Sequence, residues 1–218
     1  MTSITDSKPT LHSYWRSSSS WRVRIALNFH SLAYTYHPIN LLKNEQQDPN
    51  YKNKLNPTGM VPVLEIDGHV LTESLAIVEY LEETRGRKLF PQDAYGKSQV
   101  RRLALQIAAG IQPIQNLSVL KKIVADFGEE HKMPWGKHFI EKGFKELEMM
   151  LSQTAGKYSY GDEVTIADLC LVPQVYNANR FSVDMDQFPT IKRVHEACVA
   201  LDEFKEAHPD QMPDAVTQ

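Results

Sequence analysis

The hydrophobic pattern of the chain changes character near Tyr95, and that change constrains its architecture more than any other feature. Before it, β-rich runs alternate with helical ones. An aromatic run from Thr10 to Trp15 passes through serines into the helical pattern WRVRIALNFH, and a second β-rich run spans Tyr34 to Ile39. After a polar stretch punctuated by LNPTG comes VPVLEIDGHVLT, where Asp67-Gly68 separates two strand-like runs and specifies a hairpin. ESLAIVEYLEETR then places Leu75, Ile77, Val78 and Leu81 at mainly helical spacing, with Arg85, Arg87 and Lys88 near or past its end, where they complement the helix dipole.

From Tyr95 onward strand signals disappear. Amphipathic or apolar segments run from Tyr95 to Phe127, Pro134 to Gln153, Thr165 to Asn179 and Thr190 to Leu201. The expected organisation is a disordered leader (residues 1–9), an α/β domain (10–86), a polar linker within RGRKLFPQD (87–94) and an all-helical domain (95–218).

Composition excludes several function classes. With 42% hydrophobic residues among 218, the chain has enough apolar mass for a substantial core. A net charge of -3 supplies no basic field for a phosphate backbone, so a small ligand is expected rather than nucleic acid. No stretch approaches the roughly 20 apolar residues of a membrane span. Cys170 and Cys198, the only two cysteines, sit in apolar surroundings without a pairing pattern, which fits a reducing, cytoplasmic setting. The eight histidines form no ligand set, so no metal is expected, and neither a Gly-rich phosphate loop nor a Gly-x-Ser-x-Gly turn occurs.

In GDEVTIADLCLV, Thr165 is placed to cap a helix while Asp168, three residues on, reaches back to the cap amide. Asp168 therefore reads as structural, and Pro173 is expected to bend the helix that follows.

Three features bear on chemistry. Ser17, Ser18, Ser19 and Ser20, followed by Trp21 and Arg22, lie where a strand gives way to a helix, and unpaired amides there attract a thiolate or carboxylate. The plainer alternative is that Ser19 or Ser20 only caps the helix. Val61-Pro62 opens a strand at a position that tolerates a missing donor or a cis bond. Glu73-Ser74 heads the next helix, either as solvated acid and N-cap or as acceptor of a ligand ammonium and donor to its carboxylate.

Together these features resemble the glutathione contacts of the thioredoxin-like domain in glutathione transferases. SSSSWRVRIAL resembles the zeta-class signature Ser-Ser-Cys-Ser-x-Arg-Val-Arg-Ile-Ala-Leu, departing only at Ser19. PINL, LNP, ESLAIVEYLEETR, GIQPIQNLSVLK, GDEVTIADLCLVPQV and NANRF are similar to the same class, which includes maleylacetoacetate isomerase. The resemblance implies a thioredoxin-like domain, an all-α domain, a homodimer and glutathione as cofactor. It assigns the bond to the glutathione sulfur to Ser17 within a cofactor site of Ser17 to Arg22. The cysteinyl backbone falls to Val61 before a cis Pro62, the γ-glutamyl group to Glu73 and Ser74, and the glycyl end to Gln47. It places Gln112, Asn116, Leu117 and Ser118 beside the second substrate. Arg180 is directed at a substrate carboxylate, although from the residues alone it reads rather as a solvated helix-end arginine stabilised by the dipole. The implied reaction is the glutathione-dependent isomerisation of maleylacetoacetate to fumarylacetoacetate in tyrosine and phenylalanine breakdown, with α-halo acids as further substrates. A general xenobiotic-conjugating transferase and a non-catalytic binding protein are the alternatives.

Overall fold

A computed structural model describes residues 8–86 and 88–216. The expected leader therefore lies outside the described residues except for Lys8 and Pro9. Among the described residues, one compact unit comprises those up to Lys88 together with those from Asp202 onward, and the other spans Leu89–Leu201.

The first unit contains β1 (Thr10–Ser13), α1 (Ser18–Phe29), β2 (Thr35–Pro38), α2 (Pro49–Lys54), β3 (Val63–Ile66), β4 (His69–Thr72) and α3 (Ser74–Arg85). The expected strands and helices occur in the expected order, with α2 in the polar stretch before LNPTG. The sheet runs β2-β1-β3-β4, with β1 and β2 parallel and the other pairs antiparallel. Asp67 (φ 54°) and Gly68 (φ 78°) form the β3–β4 turn, the two successive positive angles that match the twist of a tight hairpin. Leu11, Val23, Ile25, Val63, Leu64, Ile77 and Leu81 are fully buried. Each such side chain contributes about 1.5–3 kcal/mol, which outweighs the modest propensities of these short strands.

The second unit is helical: α4 (Ala94–Leu105), α5 (Leu117–Phe127), α6 (Lys132–Thr154), α7 (Ile166–Arg180) and α8 (Pro189–Val199). The segment expected as one helix from Tyr95 to Phe127 is divided. A π-helical stretch (Gln106–Ile111) and a 3-10 turn (Gln112–Gln115) separate α4 from α5. Pro113 supplies no amide to continue the ladder, and Asn116 has extended backbone angles. By contrast, α7 runs on through Pro173. It is held at its start by the expected capping box, in which Asp168 Oδ2 accepts Thr165 N–H at 2.8 Å, while its Oδ1 accepts Ser159 N–H from the preceding loop at 2.8 Å. Burial pushes the Asp168 carboxyl above its ordinary range, while these amides oppose the shift.

Two expected boundaries move. Leu89, inside the expected linker, is fully buried and its carbonyl accepts Ile166 N–H at 3.1 Å, so the helical unit begins there. At the other end, α9 (Asp202–Glu206) packs on α1 rather than on the helical unit expected to extend to residue 218. Asn28 donates to Glu203 O at 2.9 Å, and the rings of Phe29 and Phe204 meet edge to face at 5.8 Å. No helix among the described residues is long and apolar enough to cross a membrane.

Candidate active site

The sheet register brings the first three sequence features to one end of the first unit. His12 is paired with Val63, and Val63 with Thr72, so the end of β1, the start of β3 and the end of β4 lie side by side. From these three points the chain leads to Ser17, back to Val61-Pro62 and on to Glu73-Ser74. β2 is parallel to β1 and ends at the same edge, with Ser13 beside Pro38, so the segment carrying Gln47 also leaves from there.

Ser17 is the N-cap of α1, with extended angles (φ -73°, ψ 120°), and its Oγ accepts Ser20 N–H at 3.2 Å. The plainer alternative, a cap at Ser19 or Ser20, is therefore not the one present. Because the oxygen is occupied by a helix amide, the hydroxyl proton is directed elsewhere, and it has no acceptor among the described residues. Ser18 and Ser19 occupy the first turn of α1, Ser18 buried and Ser19 half-buried. The buried Ser20 Oγ has no hydrogen-bond partner among the described residues. Trp21 and Arg22 are both 2% exposed.

The Val61–Pro62 bond is cis. Both residues are buried, and Tyr51 Oη and Asn56 Nδ2 donate to the adjacent Met60 O at 2.7 and 3.0 Å. Gln47 is exposed and its Nε2 donates to Gly59 O at 3.2 Å, two residues before Val61.

At the head of α3 the roles differ from the simple capping alternative. Glu73 occupies the N-cap position and Ser74 is the first helical residue. Glu73 is exposed and has φ 65°, an unfavourable angle for a residue with a Cβ that costs on the order of 1–3 kcal/mol and tends to mark functional positions. Ser74 is buried, and its Oγ accepts from Arg22 Nη1 at 3.2 Å. Arg22 Nε and Nη2 have no other partner among the described residues. A buried cation thus stands behind Ser74, occupies the hydroxyl oxygen and leaves the hydroxyl proton to donate forward. Two helix N-termini, two oriented hydroxyls and one acidic side chain at one sheet end suit a ligand bearing anionic groups and one ammonium.

The remaining residues belong to the second unit. Gln112 is in the 3-10 turn and donates its Nε2 to Asn116 Oδ1, which stands at the N-cap of α5; Leu117 and Ser118 are the first two residues of that helix. Arg180 is the last residue of α7, exposed, with Nη1 bonded to Asn177 Oδ1 at 3.1 Å. The start of α6 links both places. Trp135 Nε1 donates to Ile114 O at 3.0 Å, and at the next residue, Gly136, a Cβ would overlap the ring of Phe181. A glycine at that position lets the end of α7 approach α6, so Arg180 and the Gln112–Asn116 turn occur at one end of the unit. Sequence reasoning missed Trp135, Gly136 and Asn177. Only Asn177, three residues before Arg180 on one helix face, carried a local signal.

Comparison with known proteins agrees with this geometry. Residues 11–89 match the glutathione S-transferase N-terminal domain and residues 119–206 the C-terminal domain. Maleylacetoacetate isomerase of Rattus norvegicus is 51% identical over 209 residues, covering 95% of this chain and 95% of its own. A zeta-class glutathione S-transferase of Euphorbia esula is 46% identical over 96% of this chain and 94% of its own. The crystal structure of maleylacetoacetate isomerase from Anaeromyxobacter dehalogenans with bound GSH in the active site has a TM-score of 0.87 at 44% identity, covering 96% of this chain and 98% of its own. The expected thioredoxin-like and all-helical architecture is therefore the one present, and the chain belongs to the glutathione S-transferase family, within the group of zeta-class transferases and maleylacetoacetate isomerases.

Proposed function

We propose that this enzyme uses glutathione to isomerise maleylacetoacetate to fumarylacetoacetate. The observation that carries the reading is the Ser17 hydroxyl, whose oxygen is held by Ser20 N–H and whose proton is left to donate at a helix N-terminus. Relatives at about half identity named for this reaction support it.

The residues present fit glutathione. Its α-carboxylate suits Ser74, whose oxygen is already occupied by Arg22. Its ammonium suits the exposed Glu73, its cysteinyl backbone the Val61 amide, and its glycyl end Gln47. Ser18, Ser19, Ser20, Trp21 and Arg22 form the first turns of the helix behind the sulfur. When bound, glutathione supplies a thiolate that adds reversibly to the conjugated double bond and is expelled after rotation, so none is consumed. Ser17 donates its proton to the sulfur, and with the N-terminus of α1 this favours the charged form below the roughly 8.5 of a free thiol. Arg180 holds a substrate carboxylate through paired N–H groups, oriented by Asn177. Gln112, Asn116, Leu117 and Ser118 line the substrate beside it, and the three polar side chains donate to charge that develops on its carbonyl oxygen.

The finer parts of the reading are a place in tyrosine and phenylalanine catabolism, a second activity on α-halo acids, a cytoplasmic location and a homodimeric state. The test is to compare kcat/KM for maleylacetone, an analogue of the natural substrate, with that for a neutral aromatic halide, each with glutathione. The reading expects a strong preference for the anionic cis-alkene. Comparable values, or a preference for the halide, would favour a general conjugating transferase.

A further inference from the structure

The turn that presents Ser17 is held by the far end of the chain. Beyond α9 the chain passes through a 3-10 turn (Pro209–Gln211) and reaches Asp214, whose two oxygens have separate targets. Oδ2 accepts Trp15 N–H at 3.1 Å, and Oδ1 accepts the hydroxyl of Tyr36 on β2 at 2.6 Å. Trp15 stands two residues before Ser17. Its carbonyl is also engaged, by Arg24 Nη2 at 2.9 Å. The same guanidinium donates through Nε to Ala207 O at 3.0 Å and through Nη1 to Ser13 Oγ at 3.2 Å. Both backbone polar groups of Trp15 are therefore bonded to Asp214 or to an arginine that also binds the terminal segment. Met212 and Ala215 pack against a cluster that includes Tyr14, Trp15 and Val61, and Tyr14 O in turn accepts Ser17 N–H at 2.9 Å.

Ordinary attachment of a terminal segment needs only apolar contacts, which Met212, Ala215 and Phe204 already supply. Burying a guanidinium for attachment alone is wasteful, because desolvation cancels most of the Coulombic gain. Arg24 is fully buried, and burial lowers its pKa to about 10 against the opposing influence of Tyr36, Tyr34 and Asp214. What directional bonds to a guanidinium and a carboxylate add is a fixed position for the backbone they grip. The gripped backbone is the turn between β1 and the N-cap of α1.

We propose that the segment from Asp202 to Val216 braces the thiol-activating turn, with Asp214 as a positioning residue that acts on Ser17 through Trp15. The inference rests on the reading of Ser17 as donor to the glutathione sulfur. Asp214 touches neither cofactor nor substrate in this account; it sets where the Ser17 hydroxyl stands.

The experiment uses the full-length protein and compares wild type, Asp214→Ala and Ser17→Ala, with Tyr36→Phe as a milder variant that removes one of the two Asp214 bonds. The readouts are the ultraviolet titration of bound glutathione thiolate, KM for glutathione against kcat, and thermal stability. For Asp214→Ala the bound thiol pKa rises by about 0.5–1 unit, the linkage equivalent of one weakened hydrogen bond. KM for glutathione at pH 6.5 rises about five-fold, and activity recovers as pH is raised past the shifted value. Tyr36→Phe gives a smaller shift in the same direction, and it decides the matter should Asp214→Ala not fold. A lower melting temperature with the thiol pKa and KM at wild-type values, while Ser17→Ala shifts both, would reduce Asp214 to a structural role and leave the Ser17 reading intact. If Ser17→Ala also leaves the titration unchanged, the Ser17 reading fails and the brace fails with it.

Discussion

On the proposed reading, the two units would hold anions in different ways. In the first unit the proposed anchoring groups are backbone amides and short hydroxyls, with the hydroxyl directions set by neighbours: Ser17 by Ser20 N–H and Ser74 by Arg22. In the second, the corresponding group is one long side chain, Arg180, at a helix end, oriented by Asn177 and supported from behind by buried packing. The first arrangement is rigid and can lower a thiol pKa. The second, on the same reading, would select which substrate is held. On this account, substitutions in the first unit alter the thiol for every substrate, whereas substitutions at Arg180 alter the choice among substrates.

The largest effect is expected for Asp168→Ala, which removes the acceptor for two buried amides, Thr165 at the start of α7 and Ser159 in the loop before it, and leaves them unpaired. At about 1–3 kcal/mol for each amide, the loss is roughly 2–6 kcal/mol, read by chemical denaturation. Bound thiolate in the surviving folded fraction should titrate as in wild type. A shifted titration would break the separation between the units.

Ser17→Ala should raise the bound thiol pKa by about 1–2 units, since a hydrogen bond to a charged group contributes about 1.5–3 kcal/mol. It also removes the N-cap of α1, at a cost of about 1 kcal/mol in stability. Ser17→Asp separates these roles, because a carboxylate caps but neither donates nor tolerates a thiolate beside it. Stability should return while the thiolate signal at neutral pH is lost. A Ser17→Asp protein that still ionises glutathione at neutral pH would move the donor to another group.

Arg180→Ala should lower kcat/KM for anionic substrates by about 30-fold, the equivalent of ~2 kcal/mol for a charged bidentate contact. Neutral electrophiles should change by less than about three-fold. Equal losses would make Arg180 a structural helix-end residue. The smallest effect is expected for Ser19→Cys, which restores the residue usual in the zeta class at a half-buried position of the first helical turn. Turnover should change by about two-fold or less. The cysteine should add susceptibility to alkylation by an α-halo acid, since a helix N-terminus lowers a thiol pKa. A gain of orders of magnitude in activity would mean that Ser19 disables the enzyme.

What was legible in the sequence follows the same division. The hairpin at Asp67-Gly68, the capping box at Thr165 and Asp168, and the change to all helix after the first unit all rest on short-range rules, and the structure has them. Among four consecutive serines, residue type alone could not choose the cap. The choice falls on Ser17 because the chain leaving β1 reaches extended angles there, with Ser17 N–H bonded to Tyr14 O. The positive φ of Glu73 had no signal, since nothing in a glutamate favours it. The return of the terminal segment to the first unit was hidden for a related reason. Its bond from Trp15 to Asp214 spans 199 positions, and no periodicity reports a contact at that distance. Of the candidate residues, those of the first unit fall at one sheet end by strand register alone. Gln112, Asn116 and Arg180 depend on how α6 packs, which local patterns do not encode.

The central claim is that glutathione acts here as a regenerated cofactor of an isomerase. The most direct measurement follows maleylacetone isomerisation by absorbance while free thiol is titrated in the same reaction, with glutathione far below substrate concentration. The account predicts no turnover without glutathione, many substrate molecules isomerised for each glutathione present, and a constant thiol titre. Thiol falling one for one with substrate, or no isomerisation at all, would contradict it.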